Sequence, residues 1–462
     1  MGLCRNSMPG LRTLRGVLAL SLIATGLVGC SGTITYGSST PNPHGPSPGI
    51  AQVPSEPPLT PPPGTTPGTL LAFDARTGAP LWQSQAPMAE MGLPVISSGM
   101  VFVQGGYGGP RSVLAAFNAR NGDLIWRAGS PAVCGVESIG PAILLVDSCQ
   151  QAAAPPGIVK ILRALDPKTR RELWTVEGGA AMAGSAAVLV IVVSAAGESK
   201  LRGLDPLTGQ QLWEAKLTIT NVPPLVNGQV ALVQQYGCPT ATNPPDVTAR
   251  SCAGPGLARS FVSRIDPATG SQLWQAGFGP GSQLHRLLLG DVAAFSIDVE
   301  LPPAPGQPPS EAPPPGAIGA LDPATGAELW RQSVTTASSF PALAVPGTVY
   351  VEQFKPPSAQ KQCPSARLDA LESKSGTLRW RLDNLQACQL SVDSDGRAVV
   401  VVLTTFSGTK IVVLDAATGT ELWDKPMVNS GLYELVHATV SGGVVYVAAS
   451  GHYIAPSPVT GG

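Results

Sequence analysis

Histidine, charge and long apolar runs are all scarce in this chain. Four histidines stand among 462 residues, so a histidine-rich metal centre has few ligands to draw on. Charged residues make up 13% of the sequence, with 29 Lys and Arg against 30 Asp and Glu. That balance excludes a nucleic-acid footprint, which needs a concentrated basic stripe. After the first thirty residues no apolar run is long enough for a transmembrane helix. No Gly-x-Ser-x-Gly elbow, P-loop or dinucleotide fingerprint stands in a strand-to-helix setting, and no Cys-x-x-Cys-His haem site occurs. The sequence therefore points to no catalytic residue, no metal and no cofactor.

The N-terminus has the layout of an export signal. Arg5, Arg12 and Arg15 precede an apolar run from Val17, which closes on Leu27-Val28-Gly29-Cys30. The run is short for a membrane span. Its last four residues resemble the lipobox of bacterial lipoproteins, which implies that residues 1–29 are removed and that Cys30 is acylated. The alternative is an ordinary secretory peptide with a chance cysteine. Without residues 1–29, 26 bases face 30 acids, a net of −4. Residues 31–67 hold eleven prolines and almost no bulky apolar side chains, so they are expected to form an extended tether. The lipid on Cys30 would be the one membrane contact.

The body is governed by a repeat. All eight tryptophans, Trp82, Trp126, Trp174, Trp213, Trp274, Trp330, Trp380 and Trp423, occupy one motif. Eight positions earlier stands Asp74, Asn118, Asp166, Asp205, Asp266, Asp322, Glu372 or Asp415, preceded each time by an apolar residue. Four positions before the tryptophan stands Gly78, Gly122, Gly209, Gly270, Gly326, Gly376 or Gly419, while the third copy has Arg170 there. In Leu321 to Trp330 the acid can bond the backbone ahead of it, Pro323 sets φ, and Gly326 accepts positive φ, so the chain reverses between two strands. Further β-rich runs between motifs, such as Val95 to Val103 and Val399 to Leu403, bring each period to four strands. The tryptophans lie 39 to 61 residues apart, the length of a four-stranded blade or somewhat more.

The spacing predicts an all-β fold, an eight-bladed β-propeller of four-stranded antiparallel blades. The chain begins with one hairpin, Leu70 to Trp82, and ends with another, about Ala438 to Ala449. One blade is thus expected to combine strands from both ends, closing the ring and removing the open edge. Each indole is expected to wedge between blades, with its N–H on a backbone carbonyl. The expected divisions are signal 1–29, acylated cysteine and tether 30–67, propeller 68–455 and tail 456–462.

The motif closely resembles the tryptophan-docking repeat of quinoprotein dehydrogenases and of the lipoprotein subunit of the outer-membrane β-barrel assembly machinery. The resemblance to the lipoprotein implies a non-catalytic, lipid-anchored monomer that binds envelope or surface proteins, with no nucleic acid and no cofactor. Its place would be the outer membrane, or the cell surface of an organism with a single membrane. The resemblance to the dehydrogenases implies a quinone-dependent enzyme instead. Their adjacent cysteines at the cofactor have no counterpart here, and no cofactor residue is carried over. A surface module binding protein or glycan is a third reading.

Besides Cys4 and Cys30, six cysteines remain: Cys134, Cys149, Cys238, Cys252, Cys363 and Cys388. An even number in an exported chain reads as disulfides. Propeller topology puts Cys134 and Cys149 in connections flanking one hairpin, Cys238 and Cys252 in one loop, and Cys363 and Cys388 around another hairpin, so 134–149, 238–252 and 363–388 are the expected pairs. A shared zinc site is the alternative. Long insertions at 236–256, 301–316 and 353–366 fall on the same face, where a partner is expected to bind. His437 and His452 bracket the last hairpin and could approach each other, though without a carboxylate beside them they make an incomplete metal site. His44 lies in the tether and His285 in the body.

Overall fold

The apolar runs flanking each reversal dictate strands, and the reversals dictate which strands pair. A computed structural model describes residues 66–451 except 107–110, 132, 140–142, 152–157, 178, 184–186, 194–198, 218–223, 238–258, 280–281, 300–315, 335–338, 356–362, 406 and 428–435. Among the described residues there is no α-helix, and eight antiparallel sheets account for the architecture. All eight belong to one unit, Gln52–Gly462.

Sheet 1 is assembled from both ends of the body. Thr69–Asp74 and Pro80–Gln85 come from the start, Val436–Ser441 and Val444–Ala449 from the finish, and Leu71 lies opposite Val447. Sheets 3 to 8 each take four consecutive strands. Their tryptophan-bearing fourth strands are Glu172–Glu177, Gln211–Leu217, Gln272–Gly277, Glu328–Val334, Leu378–Gln386 and Glu421–Met427.

Sheet 2 departs from the expected four strands. Its first strand is split into Glu90–Met91 and Val95–Ser97, both paired with Met100–Gly106, so the sheet has five. Pro94 between the pieces has no N–H to give to the ladder, and Leu93 before it is exposed.

The strand at the middle of a sheet is covered on both faces and therefore reads as a continuous apolar run. Ala398–Thr405, with the sequence AVVVVLTT, is buried for its first six residues. The fourth strand is mostly exposed: in Glu328–Val334, Trp330 is the one buried residue. Each core cluster draws on two sheets that follow one another. Leu70, Ala72, Val101 and Val113 pack between sheets 1 and 2, and Ala294, Ile318, Val349 and Leu371 between sheets 6 and 7. The succession returns to its start, because Phe73 and Val447 of sheet 1 pack with Val400 and Val413 of sheet 8.

Candidate functional site

The feature that recurs through the whole body is the tryptophan dock, and its parts follow from the turn before it. In the first copy the Asp74 carboxylate accepts from the N–H groups of Arg76 at 3.0 Å and Thr77 at 2.8 Å, while the Asp74 carbonyl accepts from Gly78 N–H at 2.9 Å. The same set is built on Asp166, Asp205 and Asp415. The Thr77 and Thr418 hydroxyls, which donate to Asp74 and Asp415, together with these backbone bonds favour the charged form and hold the carboxyls of Asp74, Asp166, Asp205 and Asp415 below the usual aspartate range. Glu372 is lowered in the same way, chiefly by the Ser375 hydroxyl.

The indole then reaches into the turn of the next sheet. Trp82 Nε1–H donates to the Ala119 carbonyl at 3.1 Å, Trp126 to Pro167 at 2.9 Å and Trp174 to Pro206 at 2.8 Å. Trp213 donates to Pro267 at 2.8 Å, Trp274 to Pro323 at 3.1 Å, Trp330 to Ser373 at 2.7 Å and Trp380 to Ala416 at 2.9 Å. Trp423 donates to Ala75 of sheet 1 at 2.9 Å. A buried indole N–H left unpaired would cost about 1–3 kcal/mol, so the register of each sheet against its neighbour is specified.

Three features of the dock emerge from the structure. First, the motif glycine has a second duty besides its positive φ. A Cβ on Gly326 would lie 2.6 Å from the Trp274 ring, and one on Gly419 2.5 Å from that of Trp380, so the indole packs flat against the glycine. Second, a register shift precedes every tryptophan, as between Ala72 and Phe73 or Ala370 and Leu371. The bulge throws the preceding residue outward, and Leu81, Ile125, Leu212, Leu273 and Leu329 are exposed for that reason. Third, the residue opposite the indole is small in most copies: Ala72, Ala116, Ala164, Gly203, Ala320 and Ala370. That regularity two positions before the turn acid is the sequence signal for how the indole seats.

Arg170 takes the glycine's place without escaping its geometry. Its φ is +62°, its guanidinium lies 5.9 Å over the Trp126 ring, and its Nη1 donates to the Arg127 carbonyl at 2.7 Å.

The match to known proteins is decided at the level of these repeats. The family model described as outer membrane protein assembly factor BamB matches residues 66–244 and 258–455. The chain belongs to this family of pyrroloquinoline-quinone-like repeat propellers. Among solved structures, a quinohemoprotein alcohol dehydrogenase from Comamonas testosteroni is 14% identical, with 86% of this chain and 78% of that one covered and a TM-score of 0.49. BamB from Moraxella catarrhalis is also 14% identical, with 77% of this chain and 95% of that one covered and a TM-score of 0.44. No curated protein matches the chain.

In this member of the BamB family, Cys363 and Cys388 form a disulfide with Cα atoms 4.6 Å apart. The bond ties the approach to the third strand of sheet 7 to the head of Gln389–Ser394 in sheet 8. Cys134 and Cys149 were expected in connections. Their backbones lie instead within neighbouring strands, Val133–Ile139 and Ile143–Gln151, with Val133 opposite Ser148. The second of these strands extends beyond its apolar centre, its pairing continuing through Asp147, Ser148, Gln150 and Gln151. Cys30, Cys238, Cys252, His44 and His452 lie outside the described residues, as do 238–256, 301–315 and 356–362 of the three insertions.

The remaining histidines stand apart. His437 is half-buried in Val436–Ser441, and burial lowers its pKa. His285 is the extra residue of a bulge in Ser282–Leu289, its Nε2 2.8 Å from Asp298 Oδ2. Among the described residues no group of three His, Cys, Asp or Glu could hold a metal ion, and no helix is long and apolar enough to cross a membrane.

Proposed function

We propose that the chain is a lipid-anchored, non-catalytic scaffold, an eight-bladed β-propeller that holds protein partners at the cell envelope during outer-membrane protein assembly. The observation that carries this reading is the match of both halves of the body to a family described by an assembly factor. Eight sheets, eight indole bonds running from one sheet to the next, and a last bond returning from Trp423 to Ala75 support a closed ring of eight blades.

On this reading residues 1–29 direct export, Cys30 carries the acyl chains and residues 30–67 tether the propeller at 68–455, with a tail at 456–462. Acyl chains stabilise membrane binding by about 0.8 kcal/mol per buried CH₂, enough for durable anchoring when several are attached. The monomer sits on the outer membrane facing the periplasm. Disulfides 134–149 and 238–252 join the 363–388 bond in stapling the face that takes the partner.

The reading is tested in cells and in vitro. Metabolic labelling with an alkyne fatty acid is expected to tag the chain and to fail in Cys30→Ala. A strain lacking the chain is expected to lose outer-membrane barrels and to regain them with the intact chain but not with one deleted for 236–256. Pyrroloquinoline quinone and calcium added to the purified chain are expected to produce no stoichiometric absorption change and no oxidation of alcohols or sugars. Turnover with bound quinone would replace the scaffold by a dehydrogenase.

A further inference from the structure

Between sheets 6 and 7 the apolar core gives way to a polar cleft of about 330 Å³. Sheet 6 contributes Gln332 and Val334 from its last strand, and sheet 7 contributes Gln353, Arg367, Asp369 and Arg381. Residues 367 and 369 are two apart on one strand and so share a face. Asp369 lies opposite Arg381, one step from the pairing of Ala370 with Trp380.

Asp369 is almost wholly buried and fully engaged. Arg381 Nε lies 2.7 Å from Oδ1 and Arg381 Nη2 3.1 Å from Oδ2. Arg367 Nη2 lies 3.2 Å from Oδ2, and Gln353 Nε2–H donates to the same oxygen at 3.1 Å. The Gln353 amide oxygen in turn accepts from Arg367 Nη2. Two guanidiniums thus share one carboxylate, so the groups lining the cleft sum to one positive charge, with Asp383 acting on Arg381 from outside the lining. The Asp369 bond raises the Arg381 pKa, so that charge persists at any working pH. Arg367 Nε is buried without an acceptor, a state that costs free energy in the folded protein.

The local backbone is also specific to this place. Of the eight strand pairs that carry a tryptophan, this one has a second register shift, between Ala366 and Leu368 beside Arg367. Asn384 on the facing strand takes a φ of +60°. Bulges of this kind re-aim side chains.

We propose that the cleft binds a small monocarboxylic acid with a short aliphatic body. One net positive charge on two planar forks suits a planar monoanion and is too little for a phosphate dianion. Val334, Leu371 and Leu378 supply the apolar wall for the body, and Gln332 is fixed at the mouth by its Nε2–H on the Gly376 carbonyl at 2.7 Å.

The test is a saturation-transfer NMR titration of the whole chain with 4-methylpentanoate. Saturable binding is expected, weakened at least tenfold in Arg381→Gln and in Arg367→Gln. Leu378 is exposed at the rim, so Leu378→Glu leaves the folded body intact while setting a like charge before the ligand, and it is expected to abolish the signal even if an arginine variant fails to fold. Arg202→Gln, which removes a partner of Glu214 in the matching register of sheet 4, is expected to leave binding unchanged. Absence of saturable binding, binding unaffected by Leu378→Glu, or tighter binding of inorganic phosphate than of 4-methylpentanoate would each overturn the assignment.

Discussion

The indole N–H of Trp423 rests 2.9 Å from the carbonyl oxygen of Ala75, although 348 positions separate them. Phe73 lies against the same indole with ring centroids 5.9 Å apart. This contact joins sheet 8 to sheet 1, and sheet 1 is itself made from both ends of the body. The seam is therefore held twice, by strand pairing and by an indole.

Removing the indole and removing only its donor are expected to have different effects. Trp380→Ala should cost about 3–5 kcal/mol, the usual scale for deleting a buried aromatic. Trp380→Phe keeps most of the ring but leaves the Ala416 carbonyl without its partner, and should cost about 1–2 kcal/mol. At the seam, Trp423→Ala is expected to speed amide exchange in Thr69–Asp74 and Val444–Ala449 beyond that elsewhere. Denaturant melts and hydrogen-exchange mass spectrometry measure these; a uniform rise in exchange across all sheets would contradict the role given to the seam.

Much of this architecture was legible because a tryptophan and a turn acid recur at fixed separation, and only one kind of turn satisfies both. Less was legible where a residue's role depends on its neighbour sheet. Gly326 reads as a turn residue, yet its packing against Trp274 comes from a strand fifty positions away. The split of the first strand in sheet 2 falls at Gly92 to Pro94, where Pro94 has no N–H for the ladder. The Arg367, Asp369 and Arg381 cluster was invisible because a register shift, which no spacing reports, decides which charges face each other. Cys149 read as a loop residue because polar neighbours, Ser148, Gln150 and Gln151, hid the end of its strand.

Arg170 offers a test of the turn with a sign that sequence alone would not give. A side chain at φ +62° costs about 1–2 kcal/mol, offset here by the bond to Arg127 and the contact with Trp126. Arg170→Ala loses both contacts and keeps the strained φ, so it should destabilise by about 1–2 kcal/mol. Arg170→Gly loses the same contacts but relieves the strain, and should melt above the alanine variant. Thermal melts in one buffer give the order; alanine equal to or above glycine would refute the account.

The Cys363–Cys388 bond closes a loop with a sequence separation of 25. A loop of that size gives about 3 kcal/mol through the unfolded chain. Cys363→Ser and Cys388→Ser should each lower the urea midpoint by a similar amount, and the double variant should be no worse than either single one. Reduction of the parent protein should approach the same midpoint, with any further loss coming from the remaining cysteines.

Glu352 sets a pH dependence of its own. It lies in the second strand of sheet 7, 8% exposed, between Phe340 and Leu368 on the flanking strands. Burial outweighs the attraction of Arg286 and pushes its carboxyl from the ordinary 4.5 up to about 7. Because the folded value is raised, the folded state holds the proton more tightly, so this stabilisation is complete below about pH 4.5 and is lost as pH rises through about 7. The loss should approach about 3 kcal/mol by pH 8. His437 works against it, since burial lowers its pKa and its contribution to stability grows as pH rises towards 6.5 and is complete above that. The turn carboxylates act lower, their contribution fading as pH falls below the ordinary aspartate value. The difference between the parent and Glu352→Gln therefore isolates the one group. Unfolding free energies measured from pH 5 to 8 should show the parent falling relative to the glutamine variant, most steeply about midway between 4.5 and 7 and levelling off above 7; parallel curves would mean that Glu352 is solvated in the folded protein.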